Sequence, residues 1–434
     1  MLSSFSITNF KSYRQATLKL APLTVLIGAN AAGKSNVVEG LRLLSWIAAG
    51  NRLASIRNAL QEKEHAIRGN VSDLGFRPER AFSLACRTDA SDWDNYSIKL
   101  EVRDDDELHI ADERLTGTGR ASFAPLFEVV TPSQGALGDM SVAYNNFARG
   151  GRKPQIACSD QMAVLCQLMS SARFYSGHKK AQKEIPATTS RFHQQLSTIT
   201  WLDPRPSLMR AYSFKTERRL TGSGANLSGA LYNLCETEET RHDLLEFVRA
   251  LPEQDIKAID FIETPRGEVM VTLTETFGGS STTYDATLLS DGTLRVLAIA
   301  AAILSAKDRL VVIEEIDNGV HPSRAERLLD HMSRLAKSRN LRVLISSHNP
   351  ALLDALPDDA TPHVVCCYRS HDDGSSQLIR LKDLRDYPEL VARGSVGHLM
   401  TRGILERFVQ DRPGPEQRKE RARAWLDDIR TQAG

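Results

Sequence analysis

One eight-residue stretch, Gly28-Ala29-Asn30-Ala31-Ala32-Gly33-Lys34-Ser35, constrains this chain more than any other feature. It has the form G-x-x-x-x-G-K-S. The apolar run LTVLIG leads into it as a short buried strand, and VVEGLRLLSWIAA follows with helical spacing. The two glycines let the backbone curl so that successive N–H groups face an anion. The helix that starts at the loop adds the positive end of its dipole. The pattern therefore expects a triphosphate: Lys34 reaches the β- and γ-phosphates and the Ser35 hydroxyl ligates Mg²⁺. A chance match in a chain of 434 residues is on the order of one in a hundred.

Three later segments bear on the same chemistry. In LVVIEEID, residues 310–317, an apolar strand ends in Glu314 and Glu315. The first acid would hold Mg²⁺, directly or through water, and the second would polarise the attacking water as general base. In LSDGT, Ser290 reads as the N-cap of the apolar helix LRVLAIAAAIL, whose free N–H groups suit an anion. A plain helix cap is the other reading of that turn. In SSHNP, His348 follows the buried strand LRVLI, where ligands bind in α/β sheets, although a lone histidine there is commonly structural.

Elsewhere the pattern sets the frame. FSITNF and ATLKLA alternate as strands. Residues 70–145 read as strand-rich, and 155–250 as mainly helical, with SDQMAVLCQLMSSARFY and TEETRHDLLEFVRALP as helices. Strands return over 255–290. From 290 onward helices and strands alternate, which indicates a parallel sheet. The expected fold is α/β, with a discontinuous head over 1–60 and 255–405. A strand-rich lobe covers 61–150, a helical insertion 151–254 and a helical tail 406–434. Net charge is only +1, so charge alone does not point to nucleic acid. The six cysteines show no C-x-x-C spacing and read as core residues of a reducing compartment. VLAIAAAIL is too short to span a bilayer and no secretory leader is visible, so a cytoplasmic protein without membrane contact is expected.

The order of these segments carries a resemblance. LSDG resembles the ABC signature, IEEIDNGVHP the Walker B and D-loop segment, and SSHNP the switch-histidine segment. FSITNFKSYRQATLKLAPLTVLIGANAAGKSN looks like the SMC/RecF/OLD branch of ABC-type ATPases. The segments through RGSVGHLMTRGILERF are similar to bacterial "AAA family ATPases" of anti-phage systems such as Septu or PARIS. The resemblance covers 1–45 and 285–405 and is weak over 60–280. It implies that Asn9 to Tyr13, with Lys11 and Ser12, lie near the adenine, and that Gly33, Lys34, Ser35 and Asn36 hold phosphates and Mg²⁺. Ser290, Asp291, Gly292 and Thr293 would meet a nucleotide on a second subunit. Glu315 would be the base, Asp317 a dimer contact and His348 the γ-phosphate sensor.

Two features depart from that pattern. Glu314 stands where the family has Asp, and the Q-loop glutamine has only Gln134 as a weak candidate. Slow turnover is consistent with both, and so is a scaffold that binds ATP without hydrolysing it. No Toprim nuclease is expected, because only 86 residues follow His348 and Asp104 and Asp106 fall in an acidic turn. Basic clusters at Lys179, Lys180, Lys183 and at Arg205, Arg210, Lys215, Arg218, Arg219 leave nucleic acid open as a partner, with a solvated face as the alternative. The implied partners are a second copy of the chain, in an ATP-sandwiched dimer or larger homo-oligomer, and a separately encoded effector, nuclease-like or toxin-like.

Overall fold

The computed structural model describes residues 1–57, 67–103, 106–118, 124–133, 138–249, 256–316, 322–384 and 386–410. Gln134, Asp104, Asp317 and the tail from 411 onward lie outside the described residues.

The described residues form three sheets. The central one has six strands: β3 (Leu23–Ile27), β10 (Thr200–Leu202), β15 (Leu310–Ile313), β16 (Arg342–Ser346), β17 (Val365–Arg369) and β18 (Ser376–Arg380). Their order is β10-β15-β16-β3-β17-β18, parallel except for the last pair. LTVLI and LVVI are unbroken apolar runs because both faces of a parallel sheet are covered. Both ends of the chain thus meet in one α/β layer, as the alternation predicts. β10 joins them from the middle of the sequence.

The second sheet is antiparallel and eight-stranded. It holds β1 (Leu2–Phe10), β2 (Tyr13–Lys19), β4 (Ala81–Thr88), β5 (Asn95–Val102), β6 (Leu108–Thr116), β7 (Phe127–Thr131), β8 (Asp139–Tyr144) and β9 (Gln155–Ser159). Its inward residues alternate, as in Phe82, Leu84 and Cys86. The N-terminal hairpin and the strand-rich segment therefore share one sheet. The third sheet comprises β11 (Ser213–Phe214), β12 (Ile256–Glu263), β13 (Glu268–Phe277) and β14 (Ser280–Asp285).

Six helices matter below: α1 (Lys34–Ala48), α2 (Lys179–Ser197), α3 (Leu227–Leu234), α4 (Glu238–Arg249), α5 (Asp291–Leu304) and α6 (Pro322–Ser338). The core divides by strand parity. Leu26, Leu310, Val312 and Leu344 pack with α1 and the eight-stranded sheet. Val25, Ile27, Val311, Ile313, Val343 and Ile345 pack with α3 to α6. Helices α1 and α5 consequently lie on opposite faces of the central sheet.

The long helix expected over SDQMAVLCQLMSSARFY does not form. One turn, Val164–Gln167, and a 3₁₀ turn, Ser171–Arg173, stand there instead. Local hydrogen bonds win over helical spacing. The Gln167 amide turns back to the Ser159 N–H at 2.9 Å, the Ser159 carbonyl at 2.8 Å and the Met162 carbonyl at 2.6 Å. Residues 155–250 also contain β9, β10 and β11, so they are less helical than expected. No helix among the described residues is long and apolar enough to cross a membrane.

Candidate functional site: the phosphate loop and its surroundings

The loop Gly28–Gly33 leaves β3 and enters α1 with Gly33 as N-cap, φ 117°. Both glycines are dictated by close approach. A Cβ on Gly28, at φ 149°, would lie 2.2 Å from the Cys367 carbonyl oxygen, and one on Gly33 would lie 2.3 Å from Ser376 Oγ. Ala31 also takes a left-handed φ of 62°.

The outer side of the loop is clamped. Ser376 Oγ donates to the Ala32 carbonyl at 2.6 Å, Cys367 Sγ to the same carbonyl at 3.2 Å, and Tyr13 OH to the Gly33 carbonyl at 3.0 Å. Arg369 Nε reaches the Ala31 carbonyl at 3.1 Å. With these carbonyls turned outward, loop N–H groups other than that of Ala32, which donates to the Ala29 carbonyl at 3.2 Å, can face an anion on the inner side. Lys34 Nζ donates to the Gly28 and Ala29 carbonyls at 2.6 and 3.1 Å, so its charge is folded over the loop. Ser12 and Asn36 meet beside it: Asn36 Nδ2 donates to Ser12 Oγ at 2.7 Å. Lys11 turns elsewhere and pairs with buried Glu39 on α1.

The acidic strand ends beside α1. Strand parity turns Glu314 to the α1 face, where Arg42 Nη2 meets its Oε1 at 2.7 Å. Arg42 also lies 4.8 Å over the Trp201 ring. Burial raises the Glu314 carboxyl above its ordinary value, and the Arg42 charge opposes that shift. Glu315 has the opposite parity, is exposed and sits at φ 49°, an uncommon conformation for a non-glycine residue. Its N–H donates to Ser346 Oγ at 3.1 Å, and the Ile316 N–H to the Ser346 carbonyl at 3.3 Å. The end of β16 thereby fixes the Glu315 backbone. His348 is exposed two residues beyond Ser346, before the helix Pro350–Asp354.

A cleft of about 590 Å³ runs from Ser35 past Glu39, Arg42, Trp201, Glu314 and Glu315. It brings the loop serine and both acids to one space. Ser35, Glu39 and Arg42 recur at the spacing of one helix face, a signal in the sequence that would have found the last two. Nothing local signalled Trp201, Ser376 or Cys367, which arrive through strand pairing.

The serine turn opens α5 on the other face of the sheet. Ser290 Oγ accepts from the Thr293 N–H at 3.1 Å, a regular N-cap. Asp291 pairs with Arg210. Within one chain, this turn and the phosphate loop begin helices on opposite sides of the central sheet.

A profile described as "AAA ATPase domain" matches residues 1–98. An AAA domain profile whose description refers to the AbiEii toxin and a type IV TA system matches residues 182–354. Among solved structures, an SmcHead bound to the C-winged helix domain of ScpA superposes with a TM-score of 0.50 at 12% identity, covering 87% of this chain and 96% of that one. The fold is that of an SMC ATPase head. The DNA replication and repair protein RecF of Paenarthrobacter aurescens (strain TC1) is 45% identical over 47 residues, which are 11% of this chain and 12% of RecF. The chain therefore matches only a small part of that relative's length. The two AAA-domain matches support an ATPase domain, and the solved structure shows its fold.

Proposed function

We propose that this protein binds ATP with Mg²⁺ on the Gly28–Ser35 loop, joins a second copy through that nucleotide, and hydrolyses it. The observation that carries the reading is the placement of α1 and α5 on opposite faces of the central sheet. A nucleotide on one loop would then meet the Ser290–Thr293 turn of another subunit and not that of its own. Lys34 would swing from its own loop carbonyls to the phosphates, and Ser12 and Asn36 would support the loop from the side.

The donor set near the loop is all oxygen, which suits Mg²⁺. Ser35 would hold the ion. Glu314, engaged by Arg42, would act on it through water, as its longer side chain allows. The ion would neutralise phosphate charge. Glu315 would orient and deprotonate the attacking water, and His348 would sense the γ-phosphate.

The mechanical output would go to a separately encoded effector, in a cytoplasmic anti-phage role. The AAA-domain match that refers to a toxin system supports this direction. The short RecF identity favours the alternative of a DNA-binding repair ATPase. Four of the five basic residues expected near 205–219 pair with acids: Arg205 with Asp203, Arg210 with Asp291, Lys215 with Glu263 and Arg218 with Glu236. That pairing weakens this cluster as a phosphate-binding surface. Lys179, Lys180 and Lys183 lie together at the start of α2 and remain its better candidates.

Glu315→Gln tests the reading. It should lose turnover by roughly 10²-fold or more while keeping ATP binding and ATP-dependent dimerisation. Unchanged hydrolysis in that variant would remove Glu315 as the base.

A further inference from the structure

The serine turn is held by a residue that no motif names. Arg210 Nη1 donates to the Leu289 carbonyl at 2.6 Å and to the Ala286 and Thr287 carbonyls at 3.2 Å each. Its Nη2 donates to Asp291 Oδ1 at 2.5 Å. One planar guanidinium thus grips three backbone acceptors and the first residue of α5. An ammonium could not reproduce that fork.

Arg210 is itself anchored to the acidic strand. β10 pairs in parallel with β15, and the Glu314 N–H donates to the Leu202 carbonyl at 3.0 Å. A short strap runs from Leu202 to Arg210. It is pinned by Asp203 N–H to the Gly222 carbonyl and Arg205 N–H to the Ser223 carbonyl, both at 2.9 Å. Fully buried Met209 fixes its far end. Backbone contacts thus run without a break from Glu314 through Arg210 to the Ser290 turn.

We propose that Arg210 is a positioning residue: it sets the turn that presents Ser290 and Gly292 to a partner copy's nucleotide, and the 202–210 strap couples that turn to the acidic strand of its own subunit. This rests on the composite ATP site proposed above. Hydrolysis next to Glu314 in one half would then alter the grip on the nucleotide in the other half. Arg210 bonds to the serine turn and not to the phosphate loop or the cleft acids, so ATP affinity of a lone subunit should change little without it.

The test uses the full-length Glu315→Gln protein, with and without Arg210→Ala. ATP affinity is measured on dilute protein with a fluorescent ATP analogue, and dimerisation by analytical ultracentrifugation with Mg-ATP. Arg210→Ala should weaken the ATP-dependent dimer about tenfold or more, the equivalent of one charged hydrogen bond. Monomer ATP affinity should stay within about twofold. In the otherwise unaltered enzyme, kcat should fall with KM little changed. Arg210→Lys should fall between the two in dimer affinity. If Arg210→Ala does not fold, Arg210→Lys is measured in the same two ways, and a dimer as tight as with arginine counts against the proposal. Equal dimerisation with and without the arginine side chain overturns the role of Arg210. Failure of the Glu315→Gln protein itself to dimerise on ATP overturns the composite site instead.

Discussion

Arg42 of α1 binds Glu314 at the end of β15 at 2.7 Å, so the phosphate-loop helix and the acidic strand are joined by an ion pair. Both side chains are largely buried, at 15% and 28% exposure, and removing one leaves the other charged in a poorly solvated place. Arg42→Ala should cost about 1–3 kcal/mol of stability and push the Glu314 carboxyl further up. Arg42→Ala combined with Glu314→Gln should cost less than the two single changes summed, because the stranded charge is gone. Urea unfolding of the four proteins closes this cycle. Strict additivity would mean that the pair contributes nothing.

The phosphate loop is clamped from its outer side. Ser376 is fully buried and its hydroxyl donates to the Ala32 carbonyl, so it shapes the phosphate loop without facing the nucleotide. Ser376→Ala should cost about 1 kcal/mol of stability. It should also weaken ATP binding, measured by calorimetry, since the loop N–H groups lose their preset direction. Unaltered affinity would show that the loop is held adequately by Tyr13, Cys367 and Arg369 alone.

The antiparallel sheet contains a titrating group with a readable sign. Glu113 is fully buried and accepts from the Val164 N–H at 2.7 Å, the Leu165 N–H at 2.8 Å and Tyr96 OH at 3.0 Å. Burial pushes its carboxyl up to about 7. The folded protein thus holds a proton that the unfolded chain releases near 4.5. Glu113's proton-linked stabilisation is complete below about pH 4.5 and is lost as pH rises through about 7. Glu113→Gln abolishes this term. The stability difference between wild type and Glu113→Gln should shift in favour of the variant from about pH 5 to about pH 8, followed by urea midpoints. A pH-independent difference would contradict the raised carboxyl.

Much of the site was legible because its signals are local. The loop, the strand before it and the helix after it are contiguous, and the end of the acidic strand brings both Glu314 and Glu315 to the same cleft. Arg42 was legible in principle, one helix face below Ser35. What the chain does not advertise is pairing at a distance. β10 joins β15 across more than a hundred residues, and β17 and β18 bring Cys367 and Ser376 against the loop from over three hundred residues away. Apolar content does not specify which strands become neighbours. The helix expected over 159–175 failed for a different reason: Glu113 and Gln167 bind backbone groups around the short turn that forms there, and helical spacing carries no information about either contact.

The Ser290 cap separates local stability from assembly. Its hydroxyl accepts from the Thr293 N–H and stands within 2.8 Å of the Thr293 hydroxyl, while the residue itself is exposed at the start of α5. Ser290→Ala removes the cap and should cost about 1 kcal/mol of stability. Ser290→Asp keeps the capping oxygen and restores that loss. The aspartate, however, brings a negative charge to the turn that the proposed composite site would offer to a partner's phosphates. Stability and ATP-dependent dimerisation should therefore diverge: Ser290→Asp should unfold like the wild type but dimerise worse than Ser290→Ala. Thermal unfolding and sedimentation with Mg-ATP measure the two separately. Equal dimerisation of Ser290→Asp and wild type would place this turn away from any phosphate and leave it an ordinary helix cap.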